Sequence, residues 1–190
     1  PAEPAHRYSD IELIDFAKAY YFEEFEANPG RFDGFGTSYL SIDHQNAYTR
    51  GYALKIEKRP NAEALKAGAR LGRWEIRRFR RSKFSYEVPS PLPEKTPVCL
   101  NVQTRFNDWI TVAGVFPDQC DGAAGRPVHS LIADNQWHEA DVRAAVSVRS
   151  VLPGVKYLQG VRFTIDHPGA EDTVFWIDDF RVTTDNDEKD

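Results

Sequence analysis

The sequence predicts an all-β protein, a two-sheet antiparallel β-sandwich. Three observations predict it. Apolar and polar residues alternate over short runs, as where Val98, Leu100, Val102 and Thr104 share one face and Cys99, Asn101, Gln103 and Arg105 the other. Such runs recur about nine to eleven times at regular spacing, with turn chemistry between them. The 190 residues are 41% hydrophobic, with twelve Gly and twelve Pro, which is apolar material for one core and turn formers for many strands.

The elements follow in order. Residues 1–19 read as a lead-in, with Ser9 to Glu12 as a capping box and Ile11, Ile14 and Ala17 at helical spacing, so one short helix is expected there. The sandwich is expected over residues 20–183. Its first strand is Tyr20 to Glu26, closed by the turn signal Asn28, Pro29, Gly30. Gly34 to Ile42 is extended, and Tyr48 to Glu57 is a strand with Leu54 and Ile56 inward. Pro60 to Lys83 is the least readable part, because Gly68 and Gly72 weaken a helix and Trp74 and Ile76 fit a strand face equally. Phe84 to Val88 alternates, and Pro89 to Pro97 is a crossing loop. Val98 to Phe106 and Trp109 to Phe116 form a hairpin about Asn107 and Asp108, and Pro117 to Pro127 is a loop. Ser130 to Ile132, Gln136 to Glu139 and Val142 to Val148 read as strands, then Gln159 to Ile165 with Val161, Phe163 and Ile165 inward.

The last strand, Thr173 to Val182, contains a fault. Phe175 and Ile177 share one face, and so do Phe180 and Val182, but the two pairs agree only if one extra residue is inserted between them. A bulge at Asp178 and Asp179 supplies it. Residues 184–190 form an acidic tail, read as disordered.

Net charge is −5, unevenly spread: Arg70, Arg73, Arg77, Arg78, Arg80, Arg81 and Lys83 stand against Glu75 alone within residues 70–83. Such a strip suits an anionic partner or a solvated face paired with the protein's own acids. Two cysteines, Cys99 and Cys120, form one disulfide or stand as two free thiols. No apolar run reaches the roughly 18 residues of a membrane span. The chain begins Pro-Ala-Glu-Pro-Ala and has no Met, which reads as a processed or excised chain.

The segments Phe22 to Glu26, Gly51 to Ile56, Trp137 to Glu139, Gly160 to Ile165 and Phe175 to Val182, in that order, resemble the galactose-binding-like β-sandwich (jelly roll) of carbohydrate-binding modules. The resemblance implies that first and last strands lie side by side. It also implies a structural calcium ion, with Glu24 or Glu26 and Asp178 as anionic ligands and backbone oxygens from the loop around Asp43 to Tyr48. The sequence departs from the family pattern in having Glu24 where Asp is commoner. It also has Phe32 and Phe35 where a Trp is usual, and residues 58–83 have no counterpart.

A polysaccharide site needs aromatic platforms for sugar rings and planar polar groups for hydroxyls. Asn101, Gln103 and Arg105 supply the polar row on a strand expected to be central. Trp74, Trp109, Tyr39 and Tyr48 are candidate platforms, and Trp137 and Trp176 are assigned to packing. Trp74 stands among basic residues, so Arg77 beside it would suit a carboxylate or sulfate. The expected ligand set is therefore Trp74, Arg77, Asn101, Gln103, Arg105 and Tyr39.

Catalytic motifs are lacking. No Glu-x-Asp-x-x-Glu strand, Gly-x-Ser-x-Gly or phosphate loop occurs, and His6, His44, His129, His138 and His167 have no zinc spacing. No catalytic residue is named, and nucleic acid is not the expected partner. The expected function is non-catalytic binding of a polysaccharide or oligosaccharide, favouring an acidic glycan, outside the cell or in the periplasm, within a larger protein. The alternatives are a small lyase using Gln103 and Arg105, and a structural or protein-interaction sandwich.

Overall fold

In the computed structural model, the described residues are 21–48, 51–62, 64–90, 92, 96–105, 108–120, 122–123, 126, 128–165 and 173–184. The helix expected in the lead-in and the tail from residue 185 onward lie outside them. Alternation builds two sheets. The first runs β10 (Trp137–Val142), β6 (Arg81–Glu87), β12 (Val174–Thr183), β4 (Ala53–Lys58) and β3 (Ser38–Asp43), with β1 (Tyr21–Glu23) also against β12. The second runs β2 (Phe32–Asp33), β5 (Leu65–Glu75), β11 (Tyr157–Ile165), β7 (Val98–Arg105), β8 (Asp108–Val115) and β9 (His129–Ser130). The β8–β9 pair is parallel. The residues after β6 carry the chain from the first sheet to the second, as the crossing loop requires.

The inner faces meet in an aromatic core. Phe180 from β12 packs against Phe32 at 5.3 Å, Phe84 at 5.6 Å, Phe163 at 6.3 Å and Tyr21 at 6.4 Å between ring centroids. It is fully buried, so truncation to alanine would cost about 3–5 kcal/mol.

The expected fault in β12 is present. Val174 to Ile177 pair with β4, Phe180 to Val182 pair with β1, and the ladder to β6 slips between Asp178 and Arg181. The bulge therefore sits where β12 changes neighbours on one edge. Asp179 takes φ 51°, a left-handed conformation that Asp tolerates better than most residues. First and last strands are antiparallel neighbours, as the resemblance implies.

The poorly readable segment is a long strand, β5. Leu65, Ala67, Ala69 and Leu71 face inward. Small side chains hid the pattern, and Gly68 is there for close approach: a Cβ on it would lie 2.0 Å from the Val161 carbonyl oxygen. Against β11 the register slips, Leu158 facing Trp74 but Gly160 facing Arg70. That bulge, with Gly72 at φ 77°, sends Arg73 to solvent and Trp74 toward the core.

Residues 142–148, expected as a strand, are corrected by the structure. Val142 ends β10, and Ala144–Val151 form helix α1. Val142, Val146 and Val148 mimic a period of two, yet Ala144, Ala145 and Val148 are buried while Val146 is exposed, which is helical spacing. Pro153 and Gly154 beyond the helix are its stop signal. Cys99 and Cys120 form a disulfide.

Candidate functional site

Strand register assembles a row across the outer face of the second sheet. Trp109 on β8 stands opposite Gln103 on β7, Gln103 opposite Gly160 on β11, and Gly160 opposite Arg70 on β5. Gly160 lies in the middle of the row, where a Cβ would come within 2.9 Å of the Ala69 carbonyl oxygen and 3.5 Å of Gln103 Oε1. Trp109, Gln103 and Arg70 line a cleft of about 450 Å³, of ordinary size for a small-ligand site. Phe35, Gly72, Arg73, Gln159 and Arg162 complete its walls.

Arginines and rings alternate along it. The Arg162 guanidinium lies over Trp109 at 4.0 Å, and Arg70 lies over Phe35 at 5.6 Å. Phe35 meets Trp109 edge to face at 6.4 Å. Arg73 lies over Tyr157 at 4.1 Å at the β5 bulge. Phe35 is held in a left-handed conformation, φ 49°, by a turn in which its N–H donates to Asp33 Oδ1 at 2.6 Å. Among the described residues lining the cleft there is no carboxylate and no histidine.

The Asn101 end of this outer face is covered. Asn101 is buried; its Oδ1 accepts from Thr111 Oγ1 at 2.7 Å and its Nδ2 donates to Thr164 Oγ1 at 3.2 Å. Over this end, Cys120 is bonded to Cys99, Ala123 and Val128 pack beside them, and Arg126 Nη2 donates to the Thr111 carbonyl at 3.0 Å.

No family model and no curated protein matches the sequence. Solved structures do match it. A family 22 xylan-binding domain superposes with TM-score 0.52 at 17% identity, over 89% of this chain and 97% of that one. The C-terminal family 22 carbohydrate-binding module of Clostridium thermocellum Xyn10B gives 0.50 at 16% identity, over 87% and 94%. The cellulose induced protein Cip1 gives 0.52 at 12% identity, over 87% and 97%. The chain has the β-sandwich fold of carbohydrate-binding modules. At these identities the likeness is one of fold.

Within that fold the expected ligand residues separate. Gln103 lies in the cleft. Asn101 shares its face but is closed off beneath the disulfide-tied loop. Arg105 ends β7 opposite Asp108. Trp74 packs against Tyr21 at 6.1 Å and Phe79 at 6.4 Å, on the core side of the β5 bulge. Arg77 is in a 3-10 turn, Ile76–Arg78, paired with Glu75. Tyr39 is exposed on β3 in the other sheet, with Arg59 over its ring at 4.8 Å. Trp137 and Trp176 have structural partners: their indole N–H groups donate to Asn46 Oδ1 and Asp43 Oδ2, each at 3.0 Å, and pin the loop after β3. Burial would raise the Asp43 carboxyl, but the Gln45 N–H, the Trp176 indole, the Asn46 N–H and the Lys55 charge together outweigh it and hold the carboxyl below its usual range.

The cleft also brings together Arg162, Gln159, Arg70, Arg73 and Phe35, which the expected ligand set did not include. Arg162 had a signal, since Val161, Phe163 and Ile165 inward put it outward. Arg70 and Arg73 belong to the basic strip. Phe35 had none, because only the turn geometry brings it over the sheet.

The calcium expectation meets a different arrangement. Glu24 and Glu26 follow β1 and are half-buried, and Asp178 is fully buried on β12. Asp178 Oδ1 accepts from the Asp179 N–H at 2.8 Å. Among the described residues no three His, Cys, Asp or Glu side chains gather to hold a metal ion.

Proposed function

We propose that this chain is a non-catalytic polysaccharide-binding module, and that the cleft lined by Trp109, Gln103, Arg70 and Arg162 binds the sugar chain. The observation that carries the reading is the cleft itself, in which aromatic rings and planar amides converge on the outer face of a sandwich shared with carbohydrate-binding modules. Amino acids in the cleft of the Clostridium thermocellum module have a role in ligand binding, and the other family 22 neighbour is a xylan-binding domain. Three arginines with no acid among the described lining residues support a preference for an acidic glycan. Among the described lining residues neither of the two carboxylates of a glycoside hydrolase stands, which supports binding without catalysis.

The Clostridium thermocellum xylanase joins a family 22 module to a catalytic module, and this chain spans 29% of that structure. We place the present chain in a similar role, as one domain of a polysaccharide-handling protein. The disulfide fits an oxidising compartment, extracellular, cell-surface or periplasmic.

Affinity electrophoresis on a panel of neutral and acidic polysaccharides tests the reading. Retardation by at least one glycan, abolished by Trp109→Ala and unaffected by Tyr39→Ala, is expected. Retardation by none would end it. A lyase is the second reading, favoured by Gln103 and Arg162 in one cleft; growth of ultraviolet absorbance from an unsaturated sugar on incubation with a polyuronate would establish it.

A further inference from the structure

Both rings that line the cleft have an arginine laid on them, Arg162 on Trp109 and Arg70 on Phe35, at 4.0 and 5.6 Å. The third lining arginine, Arg73, lies over Tyr157 beside the cleft at 4.1 Å. A platform for a neutral sugar needs an open ring face, and here guanidinium groups take faces that a sugar would use. We infer that the cleft reads the carboxylates of a polyuronate through these ring-seated arginines, the rings serving as seats for guanidinium groups and not as platforms for neutral sugar. The inference rests on the cleft being the glycan site.

Stacking and charge both support it. A guanidinium laid on a ring keeps its N–H fork edgewise and restricted, and the fork matches a planar carboxylate with two parallel hydrogen bonds. Arg70 stands opposite Gly160, and Arg162 is two residues along the same strand, so the two are diagonal neighbours on one face. Gln103 and Gln159 add planar amides for hydroxyls next to each carboxylate.

The test is affinity electrophoresis in gels holding polygalacturonate, dextran sulfate or xylan, with fluorescence anisotropy on a single-stranded DNA oligomer alongside. Polygalacturonate is expected to bind at least about tenfold more tightly than xylan, and to weaken as salt rises. Arg162→Lys keeps the charge but loses the fork, and should lower polygalacturonate affinity by about tenfold or more. Arg73→Lys, at an exposed position that the fold does not depend on, should act in the same direction. Equal binding of xylan and polygalacturonate, or full affinity in both lysine variants, would overturn the inference and leave the glycan site standing. Dextran sulfate binding above polygalacturonate would replace carboxylate reading by charge density alone. Retardation by no glycan would overturn the inference together with the function it rests on, and DNA bound above every glycan would do so in favour of a phosphate polymer.

Discussion

Replacing Asp179 by asparagine should stabilise this protein above neutral pH and leave it nearly unchanged in acid. Asp179 is the bulge residue of β12, 3% exposed, in a left-handed conformation that asparagine also tolerates. Burial raises its carboxyl from 3.8 to about 7, with Arg181 lowering it in part. The unfolded chain releases this proton near the ordinary value, and the folded chain holds it to about 7. Folding between those values takes up a proton, so stability falls as pH rises. The penalty is absent below the ordinary value and complete above the raised one. Each pH unit of the rise corresponds to about 1.4 kcal/mol, so the whole is on the order of 4 kcal/mol. Urea unfolding at about pH 5 and about pH 8 measures it. The wild type should lose much of that amount across the interval, and Asp179→Asn should flatten the profile by raising the alkaline end. A chelator should leave both profiles in place, because among the described residues no three His, Cys, Asp or Glu side chains gather to hold a metal ion. An Asp179→Asn variant less stable than wild type at the alkaline end would refute the reasoning, and so would a chelator-sensitive profile.

Two further perturbations act on the sheet that carries the cleft. Gly68→Ala would place a Cβ 2.0 Å from the Val161 oxygen and 2.5 Å from the Arg162 Cα, both backbone atoms, so β5 and β11 must part. A loss of about 3 kcal/mol or more is expected by denaturant unfolding, against no change for Gly154→Ala, which meets nothing within 4 Å. Reduction of Cys99–Cys120, which closes a sequence separation of 21, should cost about 3 kcal/mol, read as a lower thermal midpoint in reductant; an unchanged midpoint would contradict it.

Several of these features were legible in the sequence, and the reasons differ. The β12 bulge was legible because two pairs of large apolar residues fall out of phase, and only an inserted residue reconciles them. Gln103 was legible because β7 alternates without interruption. β5 was not, since Ala67, Gly68 and Ala69 carry almost no hydrophobic contrast and the bulge at Gly72 reverses the face of Trp74. That reversal is why an aromatic among arginines ended against the core while Arg73 ended over Tyr157. Helix α1 was misread because Val142, Val146 and Val148 imitate a strand, although Pro153 and Gly154 offered a stop signal. The pairing of Arg162 with Trp109 was not legible at all. It depends on register across β11, β7 and β8, which no local pattern encodes.

Alternation assigns a residue to a face but cannot say whether the face is open. On β7, Cys99, Asn101 and Gln103 share one face in succession, and their surroundings differ completely. Cys99 ties down a loop, Asn101 is closed beneath it with both ends of its amide bonded to threonines, and Gln103 stands in the cleft. The length of the site is therefore set by the disulfide-tied loop and not by the strand. A buried asparagine must have its hydrogen bonds made inside the protein, and Thr111 and Thr164 make them. The sequence Cys99, Asn101, Gln103 thus passes from tether to filler to cleft wall within five residues. The same logic separates the two sheets. Trp137 and Trp176 on the first have their N–H groups bonded to a loop and act as pins, whereas Trp109 on the second supports a guanidinium beside open space. It is the partner of each polar atom, more than the residue type, that divides structure from function on these two faces.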